Sequence, residues 1–363
     1  MREGQEQRWG AVTGLAAAAL FGASTPLVKR LLPQVSSLMM AGLLYAGAGV
    51  ALAIVGLVRG ARAAAGAGAA GGARGEAVLR AADVPFLLGI IALGGVIGPL
   101  LMLRGLRDLS GVSGALLLNL EAPLTAVLAV LVFREHLGWR SVAAVVIIVA
   151  AGAILGDRPG EGATRWPGAL SIAGACLAWG VDNNLTQRLS VRDPVAVVRI
   201  KTLAAAACNL AIAWARGAAL PPPSLVAAAL SIGAASYGLS VVLDLYALRM
   251  LGAAREAAFF ATAPFVGALV AIPALAETPG RIEWIAGAGM IAGVILLVRD
   301  RHAHAHTHDA IEHDHRHAHD QHHQHHHPDG GGVAPHSHPH RHEPITHDHP
   351  HTSDIHHRHR HSR

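Results

Sequence analysis

The chain has 363 residues, of which 52% are hydrophobic and only 15% are charged. Soluble domains carry about 25% charged residues, so this composition excludes an ordinary soluble globular protein. The net charge of +5 does not indicate a nucleic-acid binder, because the arginines fall mainly between long apolar runs. The chain also divides sharply near residue 299, since 24 of its 25 histidines follow that point.

Apolar segments of membrane-spanning length run through the first part of the chain. A spanning helix needs roughly 20 mostly apolar residues. By that measure we predict an all-α integral membrane protein with ten transmembrane helices. The predicted spans are residues 11–32, 36–58, 84–104, 111–133, 141–156, 167–188, 194–215, 224–248, 254–276 and 283–298.

The sequence contains an internal repeat. The stretch "APLTAVLAVLVFREHLGWR" parallels "APFVGALVAIPALAETPGR", so that Pro123 matches Pro264 and Glu135 matches Glu277. Each copy holds five predicted spans, and an odd number places the second copy upside down in the membrane. The predicted domains are a cytoplasmic N-terminus (1–10), a first repeat (11–156), a linker (157–166), a second repeat (167–298) and a tail (299–363).

The distribution of arginine and lysine predicts the orientation. With the N-terminus cytoplasmic, the inward loops and termini carry 14 of these residues in or beside the spans, against 8 on the outward side. Positive residues favour the cytoplasmic side. We therefore expect a multi-pass protein of the bacterial inner membrane with both termini in the cytoplasm.

These features resemble the drug/metabolite transporter superfamily, EamA type. The resemblance rests on the doubled Pro-to-Glu segments, the Gly-containing fifth spans, and "LFG" and "AWG" in the first and sixth spans. It covers roughly residues 10–298 and none of the tail. The resemblance implies a ten-helix inner-membrane carrier, most often an exporter of small organic metabolites.

Polar residues inside the predicted spans are the candidates for a substrate or coupling site, because a charge at the bilayer centre costs several kcal/mol. Glu121 and Thr125 lie one helical turn apart in the fourth span. Glu121 is either a proton-coupling carboxylate, a ligand for a cationic substrate group, or half of a structural ion pair. Asp182 and Asn183 lie in the sixth span, followed by Asn184. Three consecutive residues fan over about 200° of a helix, so not all can face one site, and we expect at least one to cap a helix break or bond a neighbouring helix.

Two further groups of candidates lie in the second repeat. Arg199 and Lys201 point to nearly opposite faces of the seventh span, and we expect Arg199 to face Glu121, Asp182 or a substrate carboxylate. Tyr237, Ser240 and Asp244 share one face of the eighth span, a face that lipid would not tolerate. In the third span, Gly98 and Pro99 predict either a helix break or close packing of small residues.

The histidine-rich tail has almost no apolar residues, so we predict that it is disordered. Imidazole binds zinc and nickel, and the densest run of potential ligands is His322, His323, His325, His326 and His327. We expect weak binding with many alternative ligand sets. A repeat expansion without a selected role would produce the same sequence.

The favoured function is a secondary transporter that exports a small organic metabolite or drug-like compound by alternating access. The alternatives are a divalent-metal (Ni, Zn or Co) exporter whose tail collects the ion, and a membrane protein that buffers or senses metal without transport. The expected partners are a small molecule, the lipid bilayer and no nucleic acid, with proton coupling and a homodimer left open. No required cofactor and no enzymatic activity are expected.

Overall fold

The computed structural model describes residues 2–66, 79–133, 138–157, 166–189, 192–251 and 253–299, together with the backbone of four strands in the tail. Glu135 and the histidine run at 322–327 lie outside these residues.

The membrane part consists of helices in the described ranges. The α-helices are α1 (Arg2–Leu31), α2 (Ser37–Gly66), α3 (Val84–Ile90), α4 (Gly98–Asp108), α5 (Gly111–Leu117), α6 (Glu121–Phe133), α7 (Trp139–Gly156), α8 (Trp166–Arg188), α9 (Pro194–Ala215), α10 (Pro223–Gly233), α11 (Ser240–Leu251), α12 (Ala253–Phe260), α13 (Ala263–Leu275) and α14 (Arg281–Arg299). Short 3₁₀ segments lie at Leu32–Gln34, Ala81–Asp83 and Leu118–Leu120, and π-helices at Ile91–Ile97 and Ala234–Leu239.

Nine segments within the described residues are long and apolar enough to cross a membrane, and they match nine of the ten predicted spans. The remaining predicted span, the sixth (167–188), corresponds to α8, which has 23 residues but is not among those nine. Its C-terminal part, "VDNNLTQR", is polar, which lowers its mean hydropathy. Large apolar side chains on the outside of the bundle are exposed, among them Leu57, Leu131 and Leu170, as expected for a surface that faces lipid.

Helices of each repeat pack against helices of the other repeat. The first helix of copy one, α1, packs on α11 and α13 of copy two, while the first helix of copy two, α8, packs on α4 and α6 of copy one. The second helices of the copies, α2 and α9, pack against each other, and so do the last, α7 and α14. The copies are therefore interleaved around a common core.

Glycines let the helices of the two copies approach very closely. A Cβ atom at Gly22 of α1 would overlap the carbonyl oxygen of Ala263, at the start of α13. In α2, a Cβ at Gly47 would likewise overlap the Leu230 carbonyl of α10. Small residues at such crossings allow the van der Waals packing that drives helix association in lipid, where the hydrophobic effect contributes little.

The corresponding spans of each copy are interrupted at corresponding places. The third and eighth spans each contain a π-helix. In the fourth span, a 3₁₀ turn at Leu118–Leu120 separates α5 from α6, just before Pro123. In the ninth, a turn at 261–262 separates α12 from α13, just before Pro264. Proline has no N–H for a helical hydrogen bond, which accounts for the breaks in the fourth and ninth spans.

In the tail, the structure describes the backbone of four short segments. Strand β1 (His302–His308) pairs antiparallel with β4 (Ile345–His351), and β2 (Ile311–His317) with β3 (His336–His342). The tail alternates histidine with other residues, and this period of two is that of an extended strand.

We predict that Gly22→Val weakens the contact between α1 and α13, because the added side chain would overlap backbone. Overpacking of this kind costs about 1–3 kcal/mol, and the thermal unfolding midpoint of the purified protein should fall. The matched control is Gly60→Val in α2, where no atom lies within 4 Å of an added Cβ. Equal midpoints for the two variants would contradict the close crossing.

Candidate functional site

Two backbone carbonyl groups in the π-helix of the third span organise the centre of the bundle. The Gly98 N–H bonds to the Leu93 carbonyl, five residues back. The next residue, Pro99, has no N–H, so it offers no helical donor to either Gly94 or Gly95. Buried carbonyls need partners, and these two receive them from side chains.

The donors come from three other helices. The Tyr45 hydroxyl of α2 and the Trp179 Nε1–H of α8 donate to the Gly94 carbonyl, at 2.8 and 3.2 Å. The Asn209 Nδ2–H of α9 donates to the Gly95 carbonyl at 2.9 Å. The interrupted third span therefore holds α2, α8 and α9 together. Both alternatives predicted for Gly98 and Pro99 are present, because the helix is interrupted by a π-helix and also packs tightly.

An ion pair lies directly beside this junction. The Lys201 Nζ of α9 donates to Asp182 Oδ2 of α8 at 2.5 Å. A Cβ atom at Gly94 would overlap the Asp182 carboxylate, so glycine at this position provides the space for the ion pair. The second carboxylate oxygen, Oδ1, is buried and has no hydrogen-bond partner. A buried acceptor of this kind can take a donor from a bound solute.

The fourth span adds a second polar contact on the next face of α8. The Asn183 Nδ2–H donates to Glu121 Oε1 at 2.8 Å. One turn along α6, the buried Thr125 hydroxyl has no hydrogen-bond partner and lies close to Gly180. Asp182 and Asn183 thus face different partners, since consecutive helical residues point about 100° apart.

An aromatic cluster from both copies adjoins these polar groups. The ring of Tyr237 lies 5.5 Å from that of Phe21 and 5.9 Å from that of Tyr45, between centroids. Phe260 completes the cluster, 5.2 Å from Phe21. Because Tyr45 belongs to both groups, the aromatic cluster and the Gly94 junction form one continuous region.

The predicted stripe on the eighth span faces protein, as its spacing indicated. Ser240 is fully buried and donates to the Ala17 carbonyl of α1 at 3.0 Å. Asp244, one turn further along α11, is half-buried, and its Oδ1 is buried without a hydrogen-bond partner. Tyr237, Ser240 and Asp244 therefore face protein rather than lipid.

Arg199 is placed differently from our expectation. Lys201, not Arg199, pairs with Asp182, and the Arg199 guanidinium lies against Gly56 of α2. Helical geometry predicted that the two side chains would diverge, but the choice between them depends on how α9 is rotated against α8. Tyr45, Trp179 and Asn209 were missed, because each partner is a backbone carbonyl freed by Pro99 in another span.

Glu277 contacts the opposite copy at a span end. Its two carboxylate oxygens accept from the Gly111 and Val112 N–H groups at the start of α5, at 2.6 and 3.0 Å. Nearby, the Lys29 Nζ donates to the Leu106 and Leu109 carbonyls, both at 2.6 Å. Glu277 therefore caps the start of α5 outside the central cluster, and this cap joins the two copies.

Taken with the fold, these contacts define a multi-pass membrane protein built from two interleaved five-helix copies. The model of the EamA-like transporter family matches residues 8–156 and 166–299. The chain belongs to this family, as the sequence resemblance predicted.

A known relative and a solved structure agree with this assignment. An "Uncharacterized transporter" of Methanothermobacter thermautotrophicus is 30% identical over 229 residues, which cover 61% of this chain and 66% of the relative, just under two thirds. A solved structure described only as "Crystal structure of protein" superimposes with a TM-score of 0.58 at 20% identity. The match covers 80% of this chain and 97% of that one, and it shows the shared fold.

We predict that Asn209→Leu destabilises the protein by about 1–3 kcal/mol, because the Gly95 carbonyl loses its side-chain donor in a buried place. Tyr45→Phe should cost less, since Trp179 still donates to Gly94. Adding Pro99→Ala to Asn209→Leu should recover part of the loss, because residue 99 then has an N–H. Chemical denaturation in detergent compares the stability of these three variants with that of the parent. An Asn209→Leu variant as stable as the parent would refute the hydrogen bond from Asn209 to the Gly95 carbonyl.

Proposed function

We propose that this protein is a secondary transporter of a small amphoteric organic solute, bound between the two copies and moved by alternating access. The observation that carries the proposal is the central Asp182–Lys201 pair with its unpartnered Asp182 Oδ1. An ionic site inside membrane-spanning helices indicates a solute or ion pathway.

The chemistry of the cluster favours an organic solute that bears both charges, such as a neutral amino acid. A substrate ammonium group would bind Asp182 Oδ1 or Glu121, and a substrate carboxylate would bind Lys201. The adjacent aromatic rings of Tyr237, Phe21 and Tyr45 would contact an apolar side chain. Specificity would then come from a few polar groups within a mostly apolar site.

The interleaved helices are the parts of the protein that would move during transport. Helices α1 and α8 each pack on the opposite copy, and the second helices, α2 and α9, pack together beside the ion pair. Inverted repeats of this kind transport by rocking one group of helices against the other about a central site. We propose export across a bacterial inner membrane, with both termini cytoplasmic.

The metal-export alternative finds no support in the described residues, which contain no group of three or more His, Cys, Asp or Glu that could hold a metal ion. We propose that zinc or nickel binding, if the chain has it, belongs to the tail and is separate from transport. The buffering or sensing alternative accounts for the tail alone and leaves the central ion pair without a role.

The central pair is tested with a neutral double variant. Lys201→Gln alone leaves Asp182 unpaired, which costs about 3–5 kcal/mol in a buried setting, whereas Asp182→Asn combined with Lys201→Gln removes both charges. We expect the double variant to insert and remain folded but to lose uptake of radiolabelled neutral amino acids in proteoliposomes.

Arg199→Gln is the matched control, because it removes a cation from the same helix two residues away. It should retain uptake. Normal transport by the double variant would show that the ion pair only holds α8 and α9 together, and the proposal would fail.

The tail is tested by truncation after Arg301. We expect the shortened protein to lose zinc and nickel binding, measured by calorimetric titration, while insertion and amino-acid uptake stay near those of the full chain. Metal binding by the full chain should weaken in mildly acidic solution, because a protonated imidazole cannot bind a metal ion. Tight zinc binding by the truncated protein would instead reveal a metal site within the membrane part.

A further inference from the structure

Successive spans run in opposite directions, which gives the helix bundle two distinct ends. Lys29, near the end of the first span, donates to the Leu106 and Leu109 carbonyls at the end of the third. The first and third spans therefore end on the same side, as alternation requires. We call the end at which α1 begins and α14 ends the terminal end, and the opposite one the far end.

The largest cluster of buried apolar side chains lies toward the far end. It includes Val28 near the end of α1, Met40 near the start of α2 and Leu106 near the end of α4. Its members lie in the half of each span nearest the far end, with Met290 at the midpoint of α14. Toward the terminal end, the described residues form two clusters with only three buried members each. The helices are therefore packed more tightly at the far end than at the terminal end.

The fourth span shows this difference between its two parts. Its far part, α5, packs on α13 and α1, whereas its terminal part, α6, packs chiefly on α8 and α7. At the start of α6, Glu121 is half-buried, and its partner Asn183 is exposed. Polar groups are costly against hydrocarbon. The exposed side of this pair therefore indicates a space that water reaches from the terminal end.

The ion pair at the terminal end does not close this space. Asp83, at the start of the third span, pairs with Arg192, between α8 and α9, at 2.8 Å. The third span already packs on α8 and α9. The pair therefore holds together helices on one side of the space and does not join α6 to α1 or α12.

Polar contacts between the copies close the far end. Glu277, just after α13 of the second copy, accepts from the Gly111 and Val112 N–H groups at the start of α5 in the first copy. Arg30, at the end of α1, donates to the Ala274 carbonyl of α13 at 3.4 Å. Separation of α13 from α1 and α5, which would open the far end, breaks both contacts.

We propose that the conformation described is the carrier open at its terminal end, and that the Glu277 cap on α5 is the gate of the far end. The role as a gate rests on the transport function proposed above. In this state a solute reaches the Asp182–Lys201 pair from the terminal end, beside Glu121. With the termini cytoplasmic, as proposed above, that end is the loading side of an exporter.

The chemistry of the cap suits a contact that opens and closes. Its two donors are N–H groups of the first turn of a helix, which have no partner within the helix. Once the far end opens, water can bond these N–H groups and the Glu277 carboxylate instead. The closed and open states then differ by an exchange of partners, which keeps their free energies close. A solute that binds the two states unequally can therefore shift the equilibrium between them.

Cysteine accessibility distinguishes the two ends without any substrate. In the full-length chain with Cys176→Ala and Cys208→Ala, one new cysteine is introduced, either Asn183→Cys or Ser113→Cys beside the cap. The protein is placed in nanodiscs, where both ends meet solvent, and treated with a charged, water-soluble thiol reagent. Asn183→Cys should react on the order of tenfold faster or more, because Ser113 is fully buried and a buried site reacts only when it opens. Equal rates at the two positions overturn the open terminal end.

The cap is tested by removal of its carboxylate. Glu277→Ala should speed the labelling of Ser113→Cys by roughly tenfold or more, since a hydrogen bond to a charged group stabilises the closed state by at least that factor. The labelling of Asn183→Cys should slow or stay unchanged, because a shift toward the state open at the far end does not expose it further. Loss of structure would instead speed the labelling of both.

Asp157→Ala is the matched control for Glu277→Ala. It removes an exposed carboxylate at the same end of the bundle and should change neither labelling rate. Labelling of Ser113→Cys that is unchanged by Glu277→Ala, or a rise at both positions, overturns the gate.

A reversible lock tests the gate in a variant that keeps Glu277. A Cβ atom at Gly111 would lie 3.2 Å from the Ala271 Cβ, near the separation of about 3.5–4.5 Å found in disulfides. Gly111→Cys with Ala271→Cys, in the chain without the two native cysteines, should therefore form a disulfide between α5 and α13. Exchange of radiolabelled neutral amino acids in proteoliposomes should stop on oxidation and resume on reduction.

The lock separates failure of the gate from failure of the proposed function. Exchange that continues with the disulfide formed overturns the gate. If the parent exchanges none of these amino acids, the proposed substrate class fails, while the labelling rates still decide which end is open and whether the Glu277 cap closes the other.

Discussion

The Gly94 and Gly95 carbonyl groups are the constraint on which the centre of this protein depends. A membrane interior offers no water, so each backbone polar group must find a partner within the protein. Pro99 has no N–H to donate to the Gly95 carbonyl, and the Gly98 N–H, which would meet the Gly94 carbonyl in a regular α-helix, bonds to Leu93 instead. The Tyr45, Trp179 and Asn209 side chains supply the missing donors, which places α2, α8 and α9 around one interrupted span. The same placement brings Asp182 and Lys201 together beside Gly94.

The two copies share their packing and differ in their chemistry. Breaks in the third, fourth, eighth and ninth spans occur at matching places, and each first helix packs on the opposite copy. The polar groups do not follow this symmetry. Proline follows the π-helix in the third span at Pro99, whereas the matching position in the eighth span is Ser240.

The histidine-rich tail lies outside the family match, which ends at residue 299. Its metal-binding chemistry would be available to any chain that carried it, whereas the central cluster depends on helices from both copies. The proposed transport therefore belongs to the membrane part, and metal binding by the tail is a separate prediction.

The sequence by itself determined the helical class, the boundaries of the spans to within a few residues and the inverted repeat. These properties follow from the length and spacing of apolar runs, which are local along the chain. It also indicated that Glu121, Asp182, Tyr237, Ser240 and Asp244 face protein, because lipid does not tolerate polar side chains. Only the tertiary structure decided their partners: Asn183 for Glu121, Lys201 rather than Arg199 for Asp182, and the Ala17 carbonyl for Ser240. Partner choice depends on how each helix is rotated against its neighbours, and close glycine crossings and freed carbonyls, which act between distant parts of the chain, set that rotation.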